Sequence, residues 1–202
     1  MAERQIHGFI YESNVIESKG YTDWKKYIEK YPDTNSDGTY TSTWDAIDEL
    51  QNGVHYYGKP VQIKCIQKKG SVDLGDIFRN ANKKENFILE VGFWVGSKTN
   101  IVEEYTINVD YKKWNKLFEW DRYEEIRDWI TNKVSNDYSY DNQWEEECKF
   151  YKNTWGVDRV IQPRFKRDHK KQRRIQCGIS YKNFIEYFIE KKIVNKKGVL
   201  FG

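Results

Sequence analysis

Residues 87–95, FILEVGFWV, form a near-continuous apolar run. A strand this apolar has to be covered on both faces, which makes it the centre of a sheet and not an edge. Two other stretches read as its companions. In 61–66 (VQIKCI) apolar Val61, Ile63 and Cys65 alternate with polar Gln62 and Lys64, and 99–110 alternates in the same way. A period of two is the mark of a strand with one buried face. The chain is therefore expected to build a sheet of four or five strands with helices on its sides.

The chemistry-bearing residues sit around the second of these strands. Gln62 and Lys64 leave it on the face opposite Val61, Ile63 and Cys65. A short Thr- and aromatic-rich segment at 41–45 reads as the preceding strand, entered by a hairpin at Asp37-Gly38 and delivering an acid, Asp45. An acid beside a polar-x-Lys pair on a neighbouring strand suits metal-dependent hydrolysis. The carboxylate would hold Mg2+, which keeps several waters and shares its sphere with phosphate oxygens. The lysine would orient the attacking water and offset phosphate charge. Asp48 competes with Asp45 for the metal, but its position places it past the strand's end, so Asp45 is preferred.

Asp45, the gap that follows, and Gln62-Ile63-Lys64 resemble the motif of the PD-(D/E)XK nuclease superfamily, which includes many type II restriction endonucleases. The resemblance spans roughly residues 5 to 95. One residue departs from the pattern: the usual acid before x-Lys is Gln62, a substitution that some members carry. An amide oxygen still serves as a donor, but with one negative charge fewer, which weakens binding of a second ion. The resemblance implies an α/β (α+β) fold with a mixed central sheet flanked by helices. It further implies catalytic Asp45, Gln62, Lys64 and Glu12, with Asp45, Gln62 and Glu12 as the Mg2+ ligands and products bearing 5′-phosphates.

Glu12 lies in 2–18, which reads as a helix with Ile6, Phe9, Ile10 and Ile16 on its apolar side. At the border of that stripe it is a solvated rim residue by itself; the resemblance makes it a metal-site glutamate. Glu17 and His7 read as solvent-facing. A short helix is expected over 22–30. Leu74, Ile77, Phe78 and Ala81 have helical spacing, so the strand bearing Lys64 should feed a helix there. Lys68, Lys69 and Arg79 are candidates for phosphate contacts.

In the second half, 111–134 reads as one interrupted helix or two, and 141–155 as an acidic helix whose Glu145-Glu146-Glu147 run points in different directions and is a solvated face. Residues 159–180 read as a hairpin. Ile161, Pro163 and Phe165 share a face on its first strand, as do Ile175, Cys177 and Ile179 on its second; Pro163 suits an edge or a bulge. The opposite face carries Gln162, Arg164, Lys166, Gln172, Arg174 and Gln176, with Arg167, His169, Lys170, Lys171 and Arg173 toward the tip. Arg and Gln are the side chains that fork onto guanine and adenine edges, and a two-stranded ribbon fits the major groove. Ser180 should cap a last helix whose stripe is Phe184, Ile185, Phe188 and Ile189.

The 202 residues suit a single domain, with a catalytic core over 1–110 and a helical and hairpin region for DNA recognition and dimerisation over 111–202. Three scattered cysteines without a CxxC pair argue against disulfide and zinc scaffolds. The net charge of +3 says little, but acids crowd 119–147 and bases 159–174, which points to one polyanion-facing surface. With no apolar run of membrane length and no signal-like N-terminus, an intracellular, cytoplasmic protein is expected. The expected function is a Mg2+-dependent, sequence-specific endonuclease acting on double-stranded DNA, a homodimer if its site is palindromic. The alternatives are a nucleic-acid-binding protein without catalysis and a nuclease of the same fold that reads DNA structure.

Overall fold

The computed structural model describes residues 3–30, 44–49, 58–81, 83–96, 100–118, 146, 149–150, 153, 160–165, 175–190 and 195–196. Helix α1 (Glu3–Lys19) is followed by β1 (Thr22–Asp23) and α2 (Trp24–Lys30). Then come β2 (Ala46–Asp48), β3 (Lys59–Gln67), β4 (Ser71–Asp76), α3 (Ile77–Ala81), β5 (Phe87–Trp94), β6 (Ile101–Val109) and α4 (Tyr111–Lys116). The C-terminal part holds β7 (Ile161–Phe165), β8 (Ile175–Ser180), α5 (Tyr181–Phe184) running into π-helical turns at Ile185–Glu190, and β9 (Asn195–Lys196).

Six strands form one mixed sheet in the order β1-β2-β3-β5-β6-β9. The apolar run is its centre: β5 lies parallel to β3, with Val61 opposite Ile88, and antiparallel to β6, with Phe87 opposite Val109. Every residue of β5 up to Phe93 is buried. The α+β class expected from the sequence is the class observed. The strands β4, β8 and β7 make a second, antiparallel sheet with β8 in the middle.

Two apolar clusters cover the two faces of the main sheet. On one side Tyr11 and Val15 of α1 pack with Ala46, Val61, Ile63 and Ile88. On the other, Leu89, Val91 and Phe93 join Trp114, Phe184, Phe188 and the inner residues Val72, Leu74, Ile161, Ile175, Cys177 and Ile179 of the second sheet. The two halves of the chain share that second cluster.

Several expectations are corrected. Residues 74–81 are not one helix: Val72 and Leu74 are alternate buried residues of β4, and Gly75 at φ 85° forms a bulge before α3 begins at Ile77. Pairing with β8 outweighs a helical spacing that Gly75 interrupts. The buried side of α1 is not Phe9 and Ile10, which are 57 % and 47 % exposed, but Tyr11 and Val15. The reason lies in β5, where Gly92 leaves room for the Tyr11 ring. The side chain of Ile6 lies outside the described residues, as do most of 119–159 and the approach to β2. At the C-terminus, β7 and β8 pair antiparallel from Ile161–Ile179 to Phe165–Ile175. On its other edge β8 pairs with β4, and the connection from β7 to β8 that the expected hairpin requires lies outside the described residues.

No helix among the described residues is long and apolar enough to cross a membrane.

Candidate active site

Asp45 stands one residue before β2, at the edge of β3. Its amide donates to the Val61 carbonyl at 2.9 Å, and its own carbonyl accepts from the Trp24 amide at 3.2 Å. The backbone is thus held on both sides, and the carboxylate turns onto β3. There Oδ2 accepts from the Ile63 amide at 2.6 Å and from Lys64 Nζ at 3.3 Å. Both side chains keep contact with solvent, at 25 % and 23 % exposure for Asp45 and Lys64. The acid and the lysine of the motif are joined at adjoining strands and remain open to a ligand.

Glu12 approaches from α1. Its carboxyl is pushed up to about 7, first by burial and next by the negative charge of Asp45, with Lys64 pulling the other way. A carboxyl whose ionisation is disfavoured by burial and by a neighbouring carboxylate gains from a cation placed beside it. Among the described residues no group of three or more His, Cys, Asp or Glu side chains is placed to hold a metal. A pair is nevertheless what Mg2+ ordinarily uses, with waters and phosphate oxygens filling its octahedron. Glu12 and Asp45 fit that role.

Gln62 is drawn the other way. It is 3 % exposed, and its Nε2 donates to the Leu74 carbonyl of β4 at 3.3 Å, while Oε1 has no hydrogen-bond partner among the described residues. The bond engages its amide nitrogen in the core between the sheets and leaves its amide oxygen without a partner among the described residues. Asp48 is not in a loop: it is the last residue of β2, pairs in register with Lys59, and is buried. The Tyr21 hydroxyl is raised first by burial and then by Glu90, with Asp48 the smallest contributor.

Lys68 is engaged in an ion pair with Glu103, which also accepts from the Tyr181 hydroxyl at 2.8 Å. Burial alone would raise the Glu103 carboxyl, but these two partners hold it below its usual range. Lys69 occupies the β3–β4 turn at φ 68° with its side chain exposed. Arg79 is in α3, with its side chain outside the described residues.

On the second sheet Gln162, Arg164 and Gln176 are half-buried on the face away from Ile161 and Ile175. Arg164 lies across Gly178, where an added Cβ would come within 3.0 Å of its guanidinium carbon. Arg164 pairs in register with Gln176, which pairs with Asp76; Gln162 pairs with Gly178, which pairs with Asp73. Among the described residues this face therefore sets one base, Arg164, and two glutamines beside the acids Asp73 and Asp76 of β4. Lys166, Arg167, His169, Lys170, Lys171, Gln172, Arg173 and Arg174 lie outside the described residues, as do Glu145 and Glu147.

Two charged residues have roles that the sequence reading missed. Glu90, in the apolar run, is buried on the α1 side and is held by Lys19 Nζ at 2.7 Å, the Tyr21 hydroxyl at 2.7 Å and the Thr106 hydroxyl at 2.9 Å. An acid inside a strand buried on both faces was the signal that could have revealed it. Lys83, in the plain surface-like string Lys83-Lys84-Glu85, is buried beside Trp44, and no local pattern marks it.

Comparison of the chain with protein-family models, with curated proteins and with solved structures finds no match.

Proposed function

We propose that the chain is a Mg2+-dependent endonuclease acting on double-stranded DNA, of the type II restriction kind. The observation that carries the reading is the contact of Lys64 Nζ with Asp45 Oδ2 at 3.3 Å, with the Glu12 carboxyl alongside. Asp45 and Glu12 would hold Mg2+, which when bound supplies Lewis-acid charge at the scissile phosphate. Asp45 is pre-aimed by the Ile63 amide, so it needs no reorganisation to act. Lys64 donates toward the phosphate oxygens and fixes the attacking water in line. The reaction is phosphodiester hydrolysis leaving a 5′-phosphate. The basic segment 166–174 between β7 and β8 supplies the sequence reader, and a palindromic site would call for a homodimer.

A second reading has one observation in its favour. Position 62 holds a neutral amide, buried and bonded through Nε2 to the Leu74 carbonyl, where the nuclease motif usually has a carboxylate. That suits a protein that binds nucleic acid without cutting it.

Digestion of supercoiled plasmid with Mg2+ separates the two. Discrete fragments, lost in Asp45→Ala and Lys64→Ala, support the sequence-specific nuclease. Nicking or junction cutting moves the reading to a structure-selective nuclease. Binding with no cleavage by the wild type under Mg2+ or Mn2+ leaves the non-catalytic reading.

A further inference from the structure

Lys83 is nine-tenths buried, and its ammonium has no hydrogen-bond acceptor among the described residues. The nitrogen sits 3.7 Å from the centre of the Trp44 ring and 5.3 Å from that of Phe87. Its backbone is clamped: the Lys83 amide donates to Asn115 Oδ1 at 3.1 Å, and Asn115 Nδ2 donates to the Lys83 carbonyl at 2.8 Å. Trp44 is the residue immediately before Asp45, and the charges of both Asp45 and Lys64 act on the Lys83 ammonium held over its ring.

An aromatic face offsets part of the desolvation of a cation, but a buried ammonium without an oxygen partner remains costly. Such a group in a native fold calls for a reason, and a missing ligand is one of the few available. The charges around it point the same way. Burial and then the Lys64 ammonium pull Lys83 down to about 7, while Cys177, Asp45 and Glu85 oppose them more weakly. The repulsion that Lys64 exerts on the Lys83 ammonium would be relieved by an anion near both. Lys64 shares its ammonium with Asp45 at 3.3 Å, so a second cation adds charge that Lys64 does not supply alone.

We propose that Lys83 is a second cationic residue of the Asp45–Lys64 site, and that a phosphodiester oxygen of the nucleic-acid backbone is the acceptor its ammonium lacks. The proposal rests on reading that site as a phosphodiester site. Lys64 faces the phosphate from β3 and Lys83 from beneath Trp44, so the anion is held by two cations while Asp45 and Glu12 stay free for the metal. The cost of keeping Lys83 buried and unpaired in the free protein is recovered when the anion arrives.

Sulfate, a tetrahedral anion that does not titrate near neutrality, is the probe. It is titrated against wild type and Lys83→Met at about pH 6, where Lys83 is charged, and followed by the amide shifts of Trp44, Ile63 and Lys64. Sulfate should move these resonances in wild type, and Lys83→Met should weaken its binding about tenfold with a Tm no lower than wild type. Unchanged sulfate affinity in Lys83→Met, or no response in wild type, overturns the proposal. Should Lys83→Met not fold, Lys83→Gln must show the same loss. In wild type the Lys83 side-chain 15N resonance must itself move on adding sulfate, and an unmoved resonance overturns the idea without any variant. Plasmid digestion judges the nuclease reading separately. Sulfate binding that depends on Lys83 in a protein that cuts nothing keeps the anion site and removes the nuclease. Cleavage with unaltered sulfate binding in the variant keeps the nuclease and removes Lys83.

Discussion

The ring of Tyr11 rests on the backbone of Gly92, so closely that a Cβ added to the glycine would fall 2.5 Å from the ring's Cζ atom. This contact seats α1 on the centre of the main sheet and thereby sets where the next residue, Glu12, meets Asp45. Gly92→Ala should cost roughly 1–3 kcal/mol of stability by overpacking. It should also weaken metal-dependent activity more than the stability loss explains, because Glu12 is carried away with the helix. Urea denaturation beside a cleavage assay checks both. An alanine variant as stable as wild type would mean that α1 sits elsewhere.

Removing either half of the Asp45–Lys64 pair should abolish cleavage. A fall on the order of 10²-fold or more is expected for Lys64→Ala if its charge acts in the transition state, with DNA binding in Ca2+ largely kept. Asp45→Ala loses, in addition, the acceptor of the Ile63 amide, so its Tm should drop while that of Lys64→Ala changes little. Near wild-type cutting by either variant shows the site to be elsewhere.

Glu12 gives the protein a pH signature. Its carboxyl is raised to about 7 in the folded chain, above its usual value near 4.5. The folded state therefore favours the protonated form, a contribution that is complete at acid pH and disappears as pH rises through about 7. Wild type should lose Tm relative to Glu12→Gln between about pH 5 and pH 8, measured by thermal melts across that range. Mg2+ needs the ionised form, so adding it should flatten the wild-type curve and leave the variant unmoved. Parallel curves without metal would show that Glu12 is not held near Asp45.

Restoring the acid of the nuclease motif should harm this protein. Gln62→Glu would bury a carboxylate against the Leu74 carbonyl, which the native amide satisfies as a donor. A loss of about 2 kcal/mol or more is expected, visible as a lower urea midpoint, with no gain in Mg2+ affinity. A variant that is as stable as wild type and binds Mg2+ more tightly would place Gln62 in the metal shell after all.

Arg174 tests the recognition segment. If it reads a guanine, Arg174→Ala should cost about 1–3 kcal/mol at one base position, measured by binding to a set of singly substituted duplexes. An equal loss on every duplex would make it a phosphate contact.

Much of the frame could be read from local pattern. The apolar run at 87–95 had to be a central strand, and the alternation at 61–66 had to put Gln62 and Lys64 on one face. Ser180 had to cap the helix after it, as its hydroxyl does by accepting from the Asn183 amide at 3.1 Å. These features come from periodicity and from the backbone groups a helix start leaves unpaired, both of which depend only on neighbours in the chain. Tertiary structure decided the rest. What the Gln62 amide nitrogen meets depends on β4, a strand whose end from Leu74 reads locally as helix until β8 pairs with it. The buried side of α1 depends on a glycine about eighty positions away, and Lys83 is held by Asn115 on its backbone and by Trp44 and Phe87 against its ammonium. Sequence pattern determined which faces exist. Long-range packing determined what each face meets, because burial and charge compensation are properties of contacts that no local window contains.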